Sequence, residues 1–350
     1  MKKNVLITGG NGFIGSHISM QFVNNGYKVY VLCRHAHSNN IEFNKYVESK
    51  DIEYITGSVT DFDYSKLDID FDYIVHVAGV VSPYGKLEDF MKVNYDGTRR
   101  LLEYAKSLSN LQCFTYISST AVYGYYGYRH LKENAPKHPF NNPYSISKLE
   151  TENLVTRYCT DNKIDYVIIR PGNVFGEYDY TSSYQIYSRV KKQKMSICAG
   201  GKYLSCFVYA PNLAYSVLHT AVNKLYHNTD YNVTDGMDET LKEYLTMVAN
   251  AFGVKPKFIN FPAPLAKMVA NIVEGTYKFF HIKKAPLITR FSIWQNCSDY
   301  NFSIDKLKST GFTAPYAFQK GIENTVAWFN SIDKKDTKNG NKKRSRKTKN

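Results

Sequence analysis

The sequence predicts an α/β fold, a doubly wound parallel sheet with a smaller C-terminal lobe, on three observations. Short runs of β-forming residues alternate with helical stretches through the first half of the 350 residues. These runs read as continuous Val, Ile, Leu and Tyr, as strands covered on both faces do. After Gly172 the rhythm breaks: loops lengthen, and Tyr, Pro and Asn become dense. A hydrophobic content of 43% and an aromatic content of 15% can fill such a core and exclude disorder for most of the chain.

In order along the chain, the expected strands cover residues 5–8, 28–32, 52–56, 73–76, 114–118 and 166–170. The helices between them cover 12–24, 87–107 and 143–160. Right-handed crossovers would wind this alternation into one parallel sheet. Residues 1–173 form the expected sheet domain, to which the chain returns near Phe207 and at 231–234. Residues 174–206 and 235–330 form the expected substrate lobe; after Gly172 one helix is expected to begin near Leu213 and another to span 241–251.

The formal charge of +14 is concentrated at one end. From Lys334 to Asn350 nine Lys or Arg stand against one Asp, a net of +8, so the rest of the chain carries +6. Residues 331–350 therefore read as a basic disordered tail, either a solubilising segment or an anchor for anionic membrane or nucleic acid. Few aromatics interleave with these charges, and no nucleic-acid partner is expected. The six cysteines are scattered without a CxxC pair. That pattern fits free thiols in a reducing compartment and offers no metal site. The N-terminal residues run almost directly into a strand, unlike a signal peptide, and a cytoplasmic protein is the expectation.

Thr8-Gly9-Gly10-Asn11-Gly12-Phe13-Ile14-Gly15 follows the first strand and opens the first helix. Glycines at 9, 12 and 15 serve a tight turn, close backbone approach to a pyrophosphate, and close packing of helix on strand. The N–H groups and positive dipole end at the start of the helix favour a phosphate. With a strand before, a helix after and a second strand at the expected distance, this is a Rossmann dinucleotide loop involving Gly9, Asn11, Gly12, Phe13, Ile14 and Gly15. The second strand should end in the residue that reads the adenosine ribose. It ends in Cys33-Arg34-His35. Arg34 cannot accept a ribose hydroxyl but can pair with a 2′-phosphate, which argues for NADP (as NADPH) over NAD. Otherwise Arg34 stacks on adenine or faces solvent.

Further motifs follow in order: His76-Val77-Ala78-Gly79, Asn94-Tyr95-Asp96-Gly97-Thr98, Ser118-Ser119-Thr120-Ala121-Val122-Tyr123-Gly124, Tyr144-Ser145-Ile146-Ser147-Lys148 and Arg170-Pro171-Gly172-Asn173-Val174-Phe175-Gly176. On these motifs, residues 3–330 resemble the extended short-chain dehydrogenase/reductase family, the NAD-dependent epimerase/dehydratase group. The resemblance implies cofactor contacts from Val59, Ala78, Gly79, Asn94, Tyr144, Lys148 and Pro171; a structural role for Asn94 stands beside that one.

Tyr-xxx-Lys also starts at Tyr46, Tyr128, Tyr187 and Tyr316, but only Tyr144 follows a serine-rich strand end and a proline at a helix start. Residues i and i+4 share one helix face, and an ammonium at Lys148 should lower the Tyr144 phenol toward neutrality. The resemblance implies that Tyr144 exchanges the proton of a carbonyl or alcohol oxygen while hydride moves at the nicotinamide. It also implies that Lys148 bonds the nicotinamide ribose and that Ser119 holds the substrate oxygen, with Thr120 as the alternative.

Departures choose among branches. Where dehydratases carry Asp-Glu this chain has Thr120-Ala121, which disfavours elimination. Where nucleotide-sugar members carry a phosphate-binding Arg it has Ser205, though another basic residue such as Lys202 can substitute. Asn212 replaces the usual Asp and resembles the 3β-hydroxysteroid and sterol dehydrogenase branch. The stretch 258–282 is apolar and aromatic but interrupted by Lys267 and Glu274. It reads either as an amphipathic core helix or as a lipophilic substrate wall or interfacial helix. The expected activity is an NAD(P)-dependent oxidoreductase interconverting ketone and secondary alcohol, acting by NADPH-dependent reduction on a sterol, steroid or long-chain keto-lipid. The alternatives are a nucleotide-sugar epimerase or 4-keto-reductase, and a non-catalytic NADP-binding regulator. A homodimer through helices 87–107 and 143–160, and peripheral membrane contact, complete the expectations.

Overall fold

A computed structural model describes residues 2–282 and 284–347, with side-chain surroundings described through Ile332. The first half runs β1 (Asn4–Thr8), α1 (Phe13–Asn24), β2 (Lys28–Cys33), α2 (Ile41–Glu48), β3 (Ile52–Thr56), β4 (Tyr73–His76), α3 (Leu87–Phe90), α4 (Gly97–Ser107), β5 (Cys113–Ile117), β6 (Tyr128–Leu131), α5 (Pro143–Asn162) and β7 (Tyr166–Pro171). The second half runs β8 (Asn173–Phe175), α6 (Ser182–Lys191), β9 (Met195–Cys198), β10 (Phe207–Tyr209), α7 (Ala210–Ala221), β11 (Thr229–Val233), α8 (Leu241–Ala251), β12 (Phe258–Phe261), α9 (Ala263–Phe279), α10 (Arg290–Asn296), β13 (Tyr300–Phe302), α11 (Asp305–Lys308) and α12 (Phe318–Lys347).

Seven strands form one sheet in the order β11-β7-β5-β4-β1-β2-β3, every neighbour parallel. The strand order reverses between β1 and β4, which opens a crevice at their carboxyl ends. The continuous apolar runs have a direct cause. Val5 and Ile7 of β1, Val29 and Val31 of β2, and Tyr73 and Val75 of β4 pack on one face of the sheet. Leu6, Leu32 and Ile74, which alternate with these, pack on the other. Both faces are covered by helices, so the middle of these strands is apolar, and the buried polar residues at their carboxyl ends, Thr8 and His76, bond each other at 2.6 Å.

The helix expected over 87–107 is interrupted by a π-turn, Met91–Asp96, which places Asn94 inward. The chain does return to the main sheet through β11, beside β7. The return expected near Phe207 does not occur: β10 pairs with β8 in a separate two-stranded ribbon. Such a three-residue strand carries no signal of which strand it will pair with. The expectation of six free thiols is corrected at one pair. Cys198 and Cys297, 99 residues apart, are joined in a disulfide between the end of β9 and the end of α10. Cys33, Cys113, Cys159 and Cys206 are buried and free. The tail expected to be disordered over residues 331–350 is instead helical through Lys347 as the end of α12, and residues 348–350 lie outside the described residues.

The stretch 258–282 forms β12 and α9. The core-helix reading fails here: α9 turns small and charged residues inward (Ala266, Ala270 and Glu274 are buried) and leaves Leu265, Met268, Ile272, Phe279 and Phe280 exposed. Periodicity identifies the two faces of a helix but not which of them the rest of the chain will cover. No described helix is long and apolar enough to cross a membrane.

Candidate active site

The cradle for a dinucleotide is built by the turn from β1 to α1. Gly9 has φ +68, and a Cβ there would press on the Ala78 backbone at 3.0 Å. A Cβ on Gly15 would stand 2.1 Å from the Gly9 carbonyl oxygen, so only glycine lets α1 approach the strand this closely. Gly12 is the N-cap of α1 and brings no side-chain cap. The first-turn N–H groups of Phe13, Ile14 and Gly15 therefore lack an intrahelical acceptor and face the crevice as an anion site. These residues fit a pyrophosphate. Asn11 plays a different part: its side-chain amide donates to the His35 carbonyl at 2.8 Å and the His37 carbonyl at 2.7 Å, tying the loop after β2 to the glycine loop.

The other expected cofactor contacts also gather at the carboxyl ends of the strands. Arg34 is exposed directly after β2. Val59 is buried after β3 and packs closely against Gly97. Ala78 and Gly79 follow β4, and Pro171 ends β7, its carbonyl accepting the Thr120 hydroxyl at 3.2 Å. A Cβ on Gly79 would meet Asn94 Oδ1 at 3.0 Å and Lys148 Nζ at 3.7 Å, so this glycine leaves room for both. Asn94 itself is fully engaged. Its Oδ1 accepts from the Val80 N–H at 2.7 Å, and its Nδ2 donates to Ser147 Oγ at 2.9 Å. This fixes the loop after β4 to α5, the structural role.

Asn142 caps α5, accepting the Ser145 N–H at 2.9 Å, and Pro143 opens the helix. Tyr144 and Lys148 then lie one turn apart. Ser119 caps the short turn Thr120–Tyr123, accepting the Ala121 N–H at 3.1 Å. Its hydroxyl also lies near enough to the Tyr144 phenol to act on its pKa. Thr120, the alternative, is turned away: its hydroxyl is buried against Pro171 O and lies 2.6 Å from the Tyr300 hydroxyl. Lys148 is buried, donates to the Ile117 carbonyl at 2.8 Å, and sits 5.0 Å from the centre of the Tyr116 ring.

The electrostatics differ from the sequence expectation. Burial pushes the Tyr144 phenol above its ordinary value, with the Ser119 hydroxyl acting the other way. Burial lowers Lys148 to about 8, with Glu152 opposing. Lys148 thus does not bring Tyr144 toward neutrality here, because the amine is directed at the Ile117 carbonyl. Glu152 lies one further turn along α5 and belongs to a buried network. Arg170 is fully buried and grips Glu152 with two bonds of 2.9 Å, donates to the Tyr123 hydroxyl at 2.6 Å, and pairs with Asp230. The arginine of the Arg170-Pro171-Gly172 motif is therefore a brace behind the site. Glu152 was discoverable from its i+4 spacing to Lys148.

An aromatic roof from the C-terminal lobe covers Tyr144. Phe291 of α10 meets Tyr144 edge-on at 6.3 Å and Tyr125 at 5.2 Å, and Tyr125 packs on Phe140 and Tyr300. Trp294 lies 6.0 Å from Phe140. None of these was singled out from the sequence, because Phe291 comes from 147 positions away, beyond any local spacing rule. Of the branch-determining positions, Asn212 is buried and donates to Asp235 at 2.9 Å and to the Tyr316 carbonyl at 2.9 Å, a structural duty. Ser205 is buried.

The model of the NAD dependent epimerase/dehydratase family matches residues 5–234. The chain belongs to this family, whose members are NAD-dependent enzymes. It is 26% identical over 332 residues to sterol-4-alpha-carboxylate 3-dehydrogenase, decarboxylating, of Dictyostelium discoideum, covering 92% of this chain and 99% of that protein. It is 24% identical over 338 residues to the N-acetyl-alpha-D-glucosaminyl-diphospho-ditrans,octacis-undecaprenol 4-epimerase of Escherichia coli O157:H7, covering 96% and 98%. In fold it is similar to the UDP-glucose 4-epimerase of Thermus thermophilus, solved in complex with NAD. The TM-score is 0.71 at 24% identity, over 93% of this chain and 99% of that one. The relatives thus span sterol dehydrogenases and sugar epimerases alike, and the sterol branch is one of several kinds.

Proposed function

We propose that the chain is an NAD(P)-dependent oxidoreductase that reduces a ketone on a lipophilic substrate to a secondary alcohol, with NADPH as its preferred cofactor. The observation that carries this reading is that Ser119 and Tyr144 stand side by side under an aromatic roof, the serine hydroxyl acting on the phenol. The cofactor, when bound, supplies hydride to the carbonyl carbon. Ser119 holds the carbonyl oxygen, and Tyr144 gives that oxygen its proton. A phenol raised above its ordinary value stays protonated at neutral pH, which suits the donor of a reduction. Exposed Arg34 at the end of β2 supports the phosphorylated cofactor. The outward apolar face of α9, next to the roof, supports a lipophilic substrate and peripheral contact with a membrane.

The second reading, epimerisation or 4-keto reduction of a nucleotide sugar, is favoured by relatives such as the undecaprenol-linked epimerase. A mass spectrum of the purified protein that shows retained NAD supports that reading. The deciding test is a screen of NADPH oxidation with keto-steroids, keto-lipids and 4-keto sugar nucleotides, with Y144F as control. The variant should lose at least about 10²-fold in turnover, the scale of general-acid catalysis, while binding NADPH as the native protein does. Retained activity in Y144F refutes the assignment.

A further inference from the structure

Arg290 and Lys267 stand beside the aromatic roof, and neither side chain makes an ion pair among the described residues. The Arg290 guanidinium lies 5.6 Å from the centre of the Trp294 ring and 6.0 Å from that of Phe140. Its Nε is buried and has no hydrogen-bond partner. Lys267 projects from the inward face of α9, and its Nζ lies 5.2 Å from the centre of the same Trp294 ring. Glu274 of the same helix as Lys267 is already engaged: one oxygen accepts the Arg290 backbone N–H at 2.9 Å and the other pairs with Lys278 at 3.0 Å. An apolar helix that turns a lysine inward while exposing Leu265, Met268 and Ile272 reverses the ordinary preference of both kinds of side chain. Two like charges held at one half-buried ring, neither of them ion-paired among the described residues, are better offset by an anion that reaches both.

We propose that Arg290 and Lys267 form an oxyanion subsite of the substrate cleft, seating a carboxylate or phosphate group carried by the molecule whose carbonyl reaches Tyr144. The subsite connects to the reacting end through Phe140, Tyr125 and Phe291, which link the Arg290 guanidinium to Tyr144 ring by ring. The guanidinium fork matches the planar carboxylate or the phosphate face, and the lysine supplies a point charge. This rests on Tyr144 being the reacting end, but it is tested without turnover.

Inorganic diphosphate and laurate, titrated separately into the full-length protein, serve as phosphate and carboxylate probes. Trp fluorescence is the readout, and W294F identifies the reporter. A saturable change with at least one probe, lost in W294F and weakened at least tenfold by R290M and by K267M, establishes the subsite. The charge-conserving R290K should lose less than R290M. Which probe answers distinguishes a phosphate from a carboxylate. NADPH binding that matches the native protein's shows that each variant is folded. The absence of a saturable change with either probe, or equal affinity in R290M and K267M, overturns the proposal whatever the reduction screen shows. Failure of the reduction screen leaves a positive titration standing.

Discussion

Replacing Lys148 with methionine should abolish turnover and change how stability depends on pH, and the second effect can be worked from the structure. The lysine is 4% exposed, and burial lowers its ammonium from 10.5 to about 8. At about 1.36 kcal/mol per pH unit that difference is worth about 3 kcal/mol, the order of the cost of keeping the charge folded near neutrality. The folded value lies below the unfolded one. The penalty is therefore present in full below about pH 8 and is relieved as the pH rises toward 10.5. Raising the pH from about 7 to about 9.5 should remove about 2 kcal/mol of it. Methionine also leaves the Ile117 carbonyl without its donor, which costs about 1–3 kcal/mol at every pH. The absolute effect of K148M is thus a near-cancellation, and the change of the gap with pH is the measurement. Urea unfolding of the native protein and of K148M near pH 7 and near pH 9.5 should show the variant's relative stability falling by about 2 kcal/mol between the two. A gap constant to within about 0.5 kcal/mol would refute the argument that burial of the ammonium governs this residue.

Ser119→Ala should cut turnover by about 10²-fold or more. It should also move the alkaline limb of the kcat/KM profile upward, because the Ser119 hydroxyl is the group that holds the Tyr144 phenol down; an unmoved limb separates the two hydroxyls. Arg34→Asp should raise the KM for NADPH by about tenfold to a hundredfold, the value of a charge-assisted bond of about 1.5–3 kcal/mol, and shift preference to NADH. An unaltered cofactor ratio removes the 2′-phosphate argument. Phe279 is 76% exposed, so Phe279→Glu should leave the circular dichroism spectrum unchanged while reducing liposome binding or activity on lipid ketones. Equal behaviour of variant and native protein in both assays ends the interfacial reading.

The succession of strands along the first half of the chain was legible because the middle of nearly every strand there is a run of apolar residues, as a strand covered on both faces requires. The glycine loop was legible because its glycines serve backbone geometry that is local: a positive φ at Gly9 and a close approach at Gly15. The Tyr144–Lys148 spacing and the proline before it were legible because helix periodicity and helix starts are also local properties. Ser119 was placed by resemblance, and the fold separates it from Thr120, which lies one residue on but faces the core.

What tertiary structure alone decided is everything that depends on which distant groups meet. Burial raises Tyr144 and lowers Lys148, and the depth of a side chain is a property of the whole packed lobe and sheet. The helical period of α9 was visible, but the side left outside depended on the partners that reached its other face. The disulfide of Cys198 with Cys297, the brace of Arg170 on Glu152 and the roof of Phe291 over Tyr144 join positions 99, 18 and 147 residues apart. Local propensity and periodicity act over a few turns of chain; contacts across such separations are fixed only when the sheet orders its strands and the lobe closes onto them.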